Sequence, residues 1–269
     1  MADVATYSID GLDLARWRIR AGSSYRAPVA IEHNAVSIPG ADGVILAGRG
    51  TASAPLLTLV LAPARDVVDT AALELLNDDL AALVARPATV VTRTVGTTSR
   101  SQAAALVSSD WSPEIVWGRY TRVTLTFRLP GVYWRDTTAT TTALAVGSTA
   151  LDVGSAPVTD AVVRFALDAA NPVLTDEQTG TGISVAYDAV ATDYIYVDTG
   201  QLQAWKSASS SQWTRPSSSA AWLDALVSYP GPGPLRMTPA VTESGGVLSR
   251  LATLTSSHTA SVRFKKAWW

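Results

Sequence analysis

Alternating apolar and polar positions run through most of the first half of the chain and predict strands. The clearest runs are rich in β-branched and aromatic residues and cover Pro55–Ala62, Ala88–Val95 and Arg122–Pro130. In the third run, the apolar side chains fall on every second residue, at Val123, Leu125 and Phe127. This is the period of a strand with one buried and one exposed face.

One segment of the first half has a helical period instead. Between Asp69 and Arg86, apolar residues recur every three or four positions, at Ala72, Leu75, Leu76, Leu80, Leu83 and Val84. Asp69 is a candidate N-cap and Pro87 follows the predicted end. We therefore predict a single amphipathic helix. Its acidic residues are predicted to form an ordinary solvated face: Glu74, Asp78 and Asp79.

The second half returns to strand patterns. These cover Ala161–Leu167, Gly182–Ala189, Asp193–Gly200 with the following Gln201–Trp205, and the terminal Ala252–Trp269. Short groups of Asp, Ser, Thr, Gly or His at residues 198–200 and 256–258 separate alternating runs, so both are predicted to be hairpin turns. The chain is therefore predicted to be all-β, with antiparallel sheets packed as sandwiches. Its longest predicted irregular region, Ser207–Pro234, is rich in Ser, Pro and Gly.

A change of composition in the middle of the chain predicts two domains. After Val132–Asp136, residues 137–150 are mostly Thr and Ala and, apart from Leu144, lack large apolar side chains. Such a stretch is typical of a connector. We predict a first domain over residues 1–140 and a second over residues 141–269. A chain of 269 residues is long enough for two domains of ordinary size.

Composition excludes several classes of function. Hydrophobic residues make up 47% and charged residues 16% of the chain, which is typical of globular domains. The net charge of -2 gives no overall positive field for holding nucleic acid or an anionic membrane. Without cysteine, disulfides, thiolate catalysis and cysteine-ligated metals are excluded. Residues 1–17 lack the pattern of a secretory signal and no apolar run could cross a bilayer, so we expect a soluble chain.

Residues that could carry catalysis are few and scattered. The two histidines, His33 and His258, lie in different predicted domains, and surface or capping roles are favoured for both. The acidic pairs Asp176–Glu177 and Asp78–Asp79 could formally serve glycoside hydrolysis, but the first is more simply part of a turn. The sequence has no zinc-protease, hydrolase-elbow, phosphate-loop or EF-hand motif. We therefore predict no enzyme, no metal and no cofactor.

Two features predict contacts with other molecules. The Gly-rich run Ser37–Thr51 has turn dipeptides but no phosphate-binding register, so we predict a structured loop that presents Arg49 or docks against a neighbour. Its candidate contact residues are Pro39, Gly40, Asp42, Gly43 and Arg49. Because sugar faces stack on exposed indoles, three tryptophans are candidate saccharide contacts: Trp205, Trp213 and Trp222. The alternative for each is a place in the core or over a sheet edge.

The order of motifs along the chain resembles one known family. In the first half these motifs are YSIDGLDL, SIPGADGVILAGRGT, the helix after LTLVLA, and VTLTFRLPGVYWRD. In the second half they are PVTDAVVRFA, NPVLTDEQTGTGISV, DYIYVDTGQLQAW and the terminal VRFKKAWW. Together they cover nearly the whole chain, which resembles the distal tail protein of siphophages, the hub at the tip of a long non-contractile tail.

The resemblance implies a tail-tube-like β-sandwich with one flanking helix, followed by a galectin-like β-sandwich. It implies a homo-hexameric ring of first domains, with a channel through which genomic DNA passes without specific binding. The implied partners are the tail tube protein above, the tail-tip protein below and the tape measure protein. The implied location is the virion and, during assembly, the host cytoplasm.

Two further expectations depend on this resemblance. It places Trp268 and Trp269 in the last strand of the second domain, so a structural role is favoured for them over an assembly contact. A ring needs one patch to meet a different patch on the next copy, and the loop that leads to Arg49 is a candidate for one of them. The alternative function is a binding module whose second domain contacts host-wall saccharide.

Overall fold

The computed structural model describes residues 5–24, 27, 29–37, 44–63, 70–87, 89–113, 121–167, 169–188, 190, 192–240, 243–244 and 247–269. The chain divides into two compact units, Met1–Trp134 and Arg135–Trp269. The break falls a few residues before the predicted position between residues 140 and 141. Both units are built from antiparallel strands, so the all-β fold with two domains is confirmed.

The described part of the N-terminal unit contains nine strands, one α-helix and one 3-10 turn. The strands are β1 (Thr6–Ile9), β2 (Leu12–Asp13), β3 (Trp17–Ile19), β4 (Ile31–Ser37), β5 (Val44–Ala52), β6 (Leu56–Pro63), β7 (Thr89–Val95), β8 (Thr98–Pro113) and β9 (Thr121–Arg128). The helix α1 covers Thr70–Val84, and the 3-10 turn covers Leu14–Arg16. Asp10 and Gly11 join β1 to β2 with positive φ angles of 49° and 83°, as a tight hairpin turn requires.

The main sheet of this unit has the order β2-β1-β7-β8-β9-β6-β3. Its central strand β8 is 16 residues long and pairs with β7 through residues 98–104 and with β9 through residues 105–113. The register shifts between Leu106 and Ser108, and such a bulge bends a strand and increases its twist. The unit is therefore built on a curled sheet in which β8 joins the strands on either side of it. The hairpin β4–β5 forms a second, two-stranded sheet of its own.

The helix α1 covers one part of the curled sheet with a buried apolar stripe. Leu76 and Leu80 face Trp17 and Leu12 across a cavity of about 80 Å³. The predicted helix is confirmed and ends at Val84, before Pro87, while the proposed N-cap lies outside the described residues. One member of its predicted apolar face is wrong: Leu75 is 67% exposed. Its acidic face is exposed, as predicted.

The described part of the C-terminal unit contains fourteen strands, counting one that straddles the break between the units. They are β10 (Trp134–Asp136), β11 (Thr140–Leu144), β12 (Gly147–Asp152), β13 (Val162–Phe165), β14 (Val173–Asp176), β15 (Gly182–Val185), β16 (Tyr194–Asp198), β17 (Gln203–Ser207), β18 (Val227–Ser228), β19 (Glu243–Ser244), β20 (Val247–Leu248), β21 (Leu251–Ser256), β22 (Ala260–Phe264) and β23 (Ala267–Trp268). Two 3-10 turns, Ser219–Ala221 and Asp224–Leu226, lie between β17 and β18.

Two five-stranded sheets make the C-terminal unit a β-sandwich. One has the order β11-β22-β13-β16-β17 and the other β12-β21-β14-β15-β18. Each contributes fully buried apolar residues from alternate positions, such as Val163 and Phe165 from the first sheet and Leu174 and Leu254 from the second. This alternation is what two packed sheets require of their inner faces.

The Thr/Ala-rich stretch forms strands, so its prediction as a connector is wrong. Strand β11 pairs with β22 in one sheet, and β12 pairs with β21 in the other. The predicted hairpin at residues 256–258 is also wrong, because β21 and β22 belong to different sheets. Residues 145–146 instead connect β11 to β12, and residues 257–259 connect β21 to β22. Both connections cross from one sheet of the sandwich to the other. By contrast, the hairpin after Asp198 is confirmed, since β16 pairs with β17.

The last residues of the chain are held within the C-terminal unit. The indole Nε1 of Trp268 donates to Asp136 Oδ1 at 2.7 Å, and the Arg250 guanidinium lies 5.1 Å from the centre of the ring. The backbone N–H of Trp269 donates to Ser155 Oγ at 3.2 Å, although its side chain is 41% exposed. Trp268 is therefore anchored by contacts within the chain, while Trp269 offers an exposed indole; the preference for a structural role over an assembly contact stays a prediction.

Candidate interaction surface

One kind of functional site, a metal site, is not found in the described part of the chain. That part contains no group of three or more His, Asp or Glu side chains that could hold a metal ion. His258 lies in the crossing between the two sheets, where its Nδ1 is 2.9 Å from Ser257 Oγ. None of the described helices is long and apolar enough to span a bilayer.

The predicted ring-contact loop is described only at its flanks. Pro39, Gly40, Asp42 and Gly43 lie outside the described residues, whereas Arg49 lies in β5. The flanking strands β4 and β5 pair with each other and with no other described strand. A two-stranded ribbon alone is only marginally stable in water. The loop is therefore carried on a ribbon that gains from contact with another surface.

The outer face of the sheet that contains β13, β16 and β17 carries aromatic and arginine side chains. Inner residues of these strands are fully buried, so the alternate residues face outward. We call the following six residues the Trp–Arg cluster: Arg164, Tyr194, Tyr196, Trp205, Trp213 and Arg263. The rings of Tyr196 and Trp205 stack 5.5 Å apart with an interplanar angle of 1°. Trp213 meets Tyr196 edge-on at 5.6 Å.

The Ser-rich segment after β17 folds back over this cluster. The hydroxyl of Tyr196 donates to the Ser209 carbonyl at 2.6 Å, and Trp205 Nε1 donates to the Gln212 carbonyl at 3.1 Å. The Arg164 guanidinium donates to the Ser210 carbonyl and, at 2.9 Å, to Ser261 Oγ. The segment that was predicted to be irregular is thus fixed by side chains of the sheet beneath it.

The three candidate saccharide contacts lie in different environments. Trp205 is only 1% exposed, so it cannot offer a face to a sugar and belongs to the core, the alternative reading of the sequence. Trp213 is half-buried, with the Arg164 and Arg263 guanidinium carbons 5.2 and 5.8 Å from its ring centre. Trp222 is 43% exposed and has the Arg215 guanidinium 3.8 Å from its ring centre. The structure does not bring the three indoles into one platform.

The edge strand β17 is covered by the chain that follows it. The Leu223 N–H donates to the Ala204 carbonyl, and the Ala204 N–H donates to Asp224 Oδ1 at 2.7 Å. The second oxygen of Asp224 pairs with Arg215, which holds that guanidinium over Trp222. Protecting an edge in this way removes unpaired backbone groups that would otherwise recruit another strand.

A buried carboxylate organises the turn between β14 and β15. Asp176 is completely buried, and its Oδ2 accepts from the Thr179 hydroxyl at 2.6 Å and from the Thr179 N–H at 3.1 Å. Burial raises the pKa of Asp176, and these hydrogen bonds and the Arg236 charge only partly oppose that rise. The carboxylate is enclosed by its own turn, so it has a structural role, in agreement with the predicted turn.

The sequence pattern revealed the tryptophans of this surface but not its arginines. Arg164 and Arg263 are 99 positions apart in sequence numbering, and only the pairing of β13 with β22 places them on one face. A signal was present in the alternation of both strands, where each arginine stands at an outward position.

The whole fold is similar to that of a solved phage protein. The crystal structure of the Dit protein (gp 19.1) of phage SPP1, a hub of the adsorption apparatus in phages that infect Gram-positive bacteria, matches with a TM-score of 0.66. Sequence identity is 16%, over 99% of this chain and 100% of that chain. The predicted resemblance is therefore confirmed for the fold.

Two further similarities are too low to carry an argument. Structures of the activated phage P2 baseplate with Ca and with Sr give TM-scores of 0.45 and 0.43, both at 11% identity. They cover 98% and 97% of this chain, and 98% of each matched chain. The sequence matches no protein-family model and no functionally curated protein.

Proposed function

We propose that this protein is a non-enzymatic structural component of a phage tail tip, a hub that joins the tail tube to the proteins below it. The observation that carries the proposal is the similarity to the SPP1 hub protein over 99% of this chain and all of that one. Both units take part in the similarity, so it is not a match of one common β-domain.

The hub is a homo-hexameric ring formed by the N-terminal units, and its central channel lets DNA pass. A ring requires two different patches that meet between neighbouring copies. The ribbon β4–β5, with Arg49 and the loop at its tip, supplies one patch because it lacks a partner strand among the described residues. The second half of β8 supplies the other, since residues 107–110 are all exposed and Val107 is 52% exposed.

The other partners follow from the same position in the tail. The tail tube protein contacts one side of the ring, the tail-tip protein contacts the other, and the tape measure protein meets the channel. The protein is located in the virion, after assembly in the host cytoplasm. A channel for DNA has no strong net positive charge, because phosphate contacts would grip the DNA. The overall charge of -2 supports this role.

Mass measurement of the purified protein tests the ring. Native mass spectrometry and light scattering are expected to give six times the chain mass of 28.2 kDa, with a central hole in electron micrographs. Arg49→Glu is expected to weaken the assembly, whereas the matched Arg250→Glu in the C-terminal unit is not. A strict monomer at high concentration that also fails to join tail tube subunits would refute the proposal.

The second candidate function is contact with host-wall saccharide through the galectin-like C-terminal unit. It is favoured by one observation, the indole of Trp222, which is 43% exposed. A glycan array with the full chain tests it, with Trp222→Ala as the variant and Trp269→Ala as the control, because that indole is also 41% exposed. Absence of binding would remove the saccharide function, and binding that Trp222→Ala keeps would remove Trp222 as its contact. Either outcome leaves the ring proposal untouched.

A further inference from the structure

Two arginines of the Trp–Arg cluster lie close together on the outer face of the C-terminal unit. Arg164 pairs with Ser261 and Val162 pairs with Arg263, so the arginines stand on adjacent strands one diagonal step apart. Their guanidinium carbons are 5.2 and 5.8 Å from the centre of the same Trp213 ring. The two carbons are thus separated by no more than the sum of those distances.

Neither arginine is neutralised by a carboxylate of the described chain. The ion pairs of the C-terminal unit use Arg135, Arg215, Lys206 and Lys266, and neither Arg164 nor Arg263 takes part in one. Arg164 donates two hydrogen bonds, to Ser210 and Ser261, whereas the Arg263 side chain makes no hydrogen bond to the described part of the chain. Asp198 stands in the same cross-strand row as Arg263, but β13 lies between them and its Oδ1 accepts from residues 200 and 201.

This arrangement leaves two positive charges without a paired carboxylate and matches one kind of ligand. Two like charges beside one ring repel each other, and each guanidinium retains donors that no described residue accepts from. A planar guanidinium binds a carboxylate with two parallel hydrogen bonds. The neighbouring groups are aromatic: they are Trp213 and Tyr194. The centre of the Tyr194 ring is 5.3 Å from the guanidinium carbon of Arg164. Trp, Tyr and Arg are the residues that dominate binding energy at protein interfaces.

We propose that the solvent-facing part of the Trp–Arg cluster, Arg164, Trp213 and Arg263, is a docking site for an acidic segment of another protein, whose carboxylates pair with Arg164 and Arg263. A protein partner fits better than a sugar because the guanidinium groups already occupy the surroundings of Trp213, so its indole is not open for stacking. The inference goes beyond the proposed function and does not depend on it, because a monomeric chain would present the same face.

The binding of a defined acidic peptide to the full chain tests the proposal. The probe is a fluorescent peptide of four Glu-Gly-Leu repeats, its Gln-Gly-Leu counterpart is the neutral control, and polygalacturonate represents an anionic glycan. Arg263→Gln is the first variant, since its side chain makes no hydrogen bond that the fold requires. Arg164→Gln is the second. Arg250→Gln is the matched control, because Arg250 also lies over a tryptophan but has the Asp152 carboxylate nearby.

The expected result is binding of the Glu peptide and not of the Gln peptide. Arg263→Gln and Arg164→Gln are each expected to weaken it about five- to tenfold, as loss of a charged hydrogen-bonded pair does. Arg250→Gln should leave the affinity within about twofold, and all variants should keep the wild-type assembly mass. Absence of binding, equal weakening by Arg250→Gln, or preference for polygalacturonate would each overturn the proposal. A change of assembly mass is scored separately, so failure of the ring and of the docking site are distinguishable.

Discussion

Replacing Trp205 tests the assignment of this residue to the core. Trp205 is 1% exposed, stacks on Tyr196 and donates from Nε1 to the Gln212 carbonyl. Truncation of a buried tryptophan to alanine typically costs about 3–5 kcal/mol through lost burial and the cavity left behind. We expect Trp205→Ala to lower the free energy of unfolding by about 4 kcal/mol, because the stacked Tyr196 ring and the Ser-rich segment both lose their support. Phenylalanine keeps the stacking and loses the hydrogen bond, so we expect Trp205→Phe to lower the free energy of unfolding by only about 1–2 kcal/mol.

The assay is calorimetric unfolding of the full chain, with hydrogen exchange to assign each transition to a unit. Trp205→Ala should lower the Tm of the C-terminal transition by roughly 10 °C or more and expose amides of residues 207–213. Trp222→Ala is the matched control, since that indole is 43% exposed and should cost less than about 1 kcal/mol. If Trp205→Ala cost no more than Trp222→Ala, the burial of Trp205 and the packing of the Ser-rich segment over it would both be refuted.

Three further predictions concern the C-terminal unit. Gly154→Ala should lower the free energy of unfolding by about 2–4 kcal/mol, because φ is +90° there and the new Cβ would collide with the Ala267 carbonyl. Urea unfolding measures this loss. Gly147→Ala is the control, because Gly147 has a similar φ of +91° but open space around the new Cβ. The stability of the wild-type protein should fall as the pH rises from about 4 through the raised pKa of Asp176, because the folded state holds the proton more tightly than the unfolded state. Asp176→Asn should remove this fall. The same dependence of stability on pH in both proteins from pH 4 to 7 would contradict the prediction. Deleting Trp268 and Trp269 should destabilise the C-terminal unit by about 1–3 kcal/mol, because it removes the contacts of Trp268 with Asp136 and Arg250 and of Trp269 with Ser155. The assembly mass should not change. Loss of assembly with an unchanged Tm would show an assembly contact.

Local periodicity was enough to predict elements in which the buried face depends mainly on residues that are close in sequence. The strand with Val123, Leu125 and Phe127 has all three side chains fully buried, and the helix ends before its proline. Periodicity failed at Leu75, which fits the helical pattern but is 67% exposed. An apolar residue at the border of a helical stripe is buried only if the opposing surface extends that far.

The largest errors occurred where a strand depends on a distant partner. Thr140–Leu144 looks like a connector because its composition is simple, but threonine has a high strand propensity and β22 supplies a full ladder for it. The turn at residues 256–258 has the composition of a hairpin, yet its two strands pair with β14 and β13 in different sheets. Turn composition shows that the chain reverses or bends, whereas the pairing is decided by the sandwich as a whole.

The Trp–Arg cluster shows the same limit for function. The net charge of -2 argues against polyanion binding by the chain as a whole, and that argument holds only for the average field. Strand register places Arg164 and Arg263 beside one indole with no carboxylate of the described chain paired to them, which creates a local positive site on an acidic protein. Because the Arg263 side chain makes no hydrogen bond to the described part of the chain, we expect its replacement to change the free energy of unfolding little. A partner is therefore the simplest physical reason for an arginine at that position. The affinity of the Arg263→Gln variant for an acidic peptide tests this explanation directly.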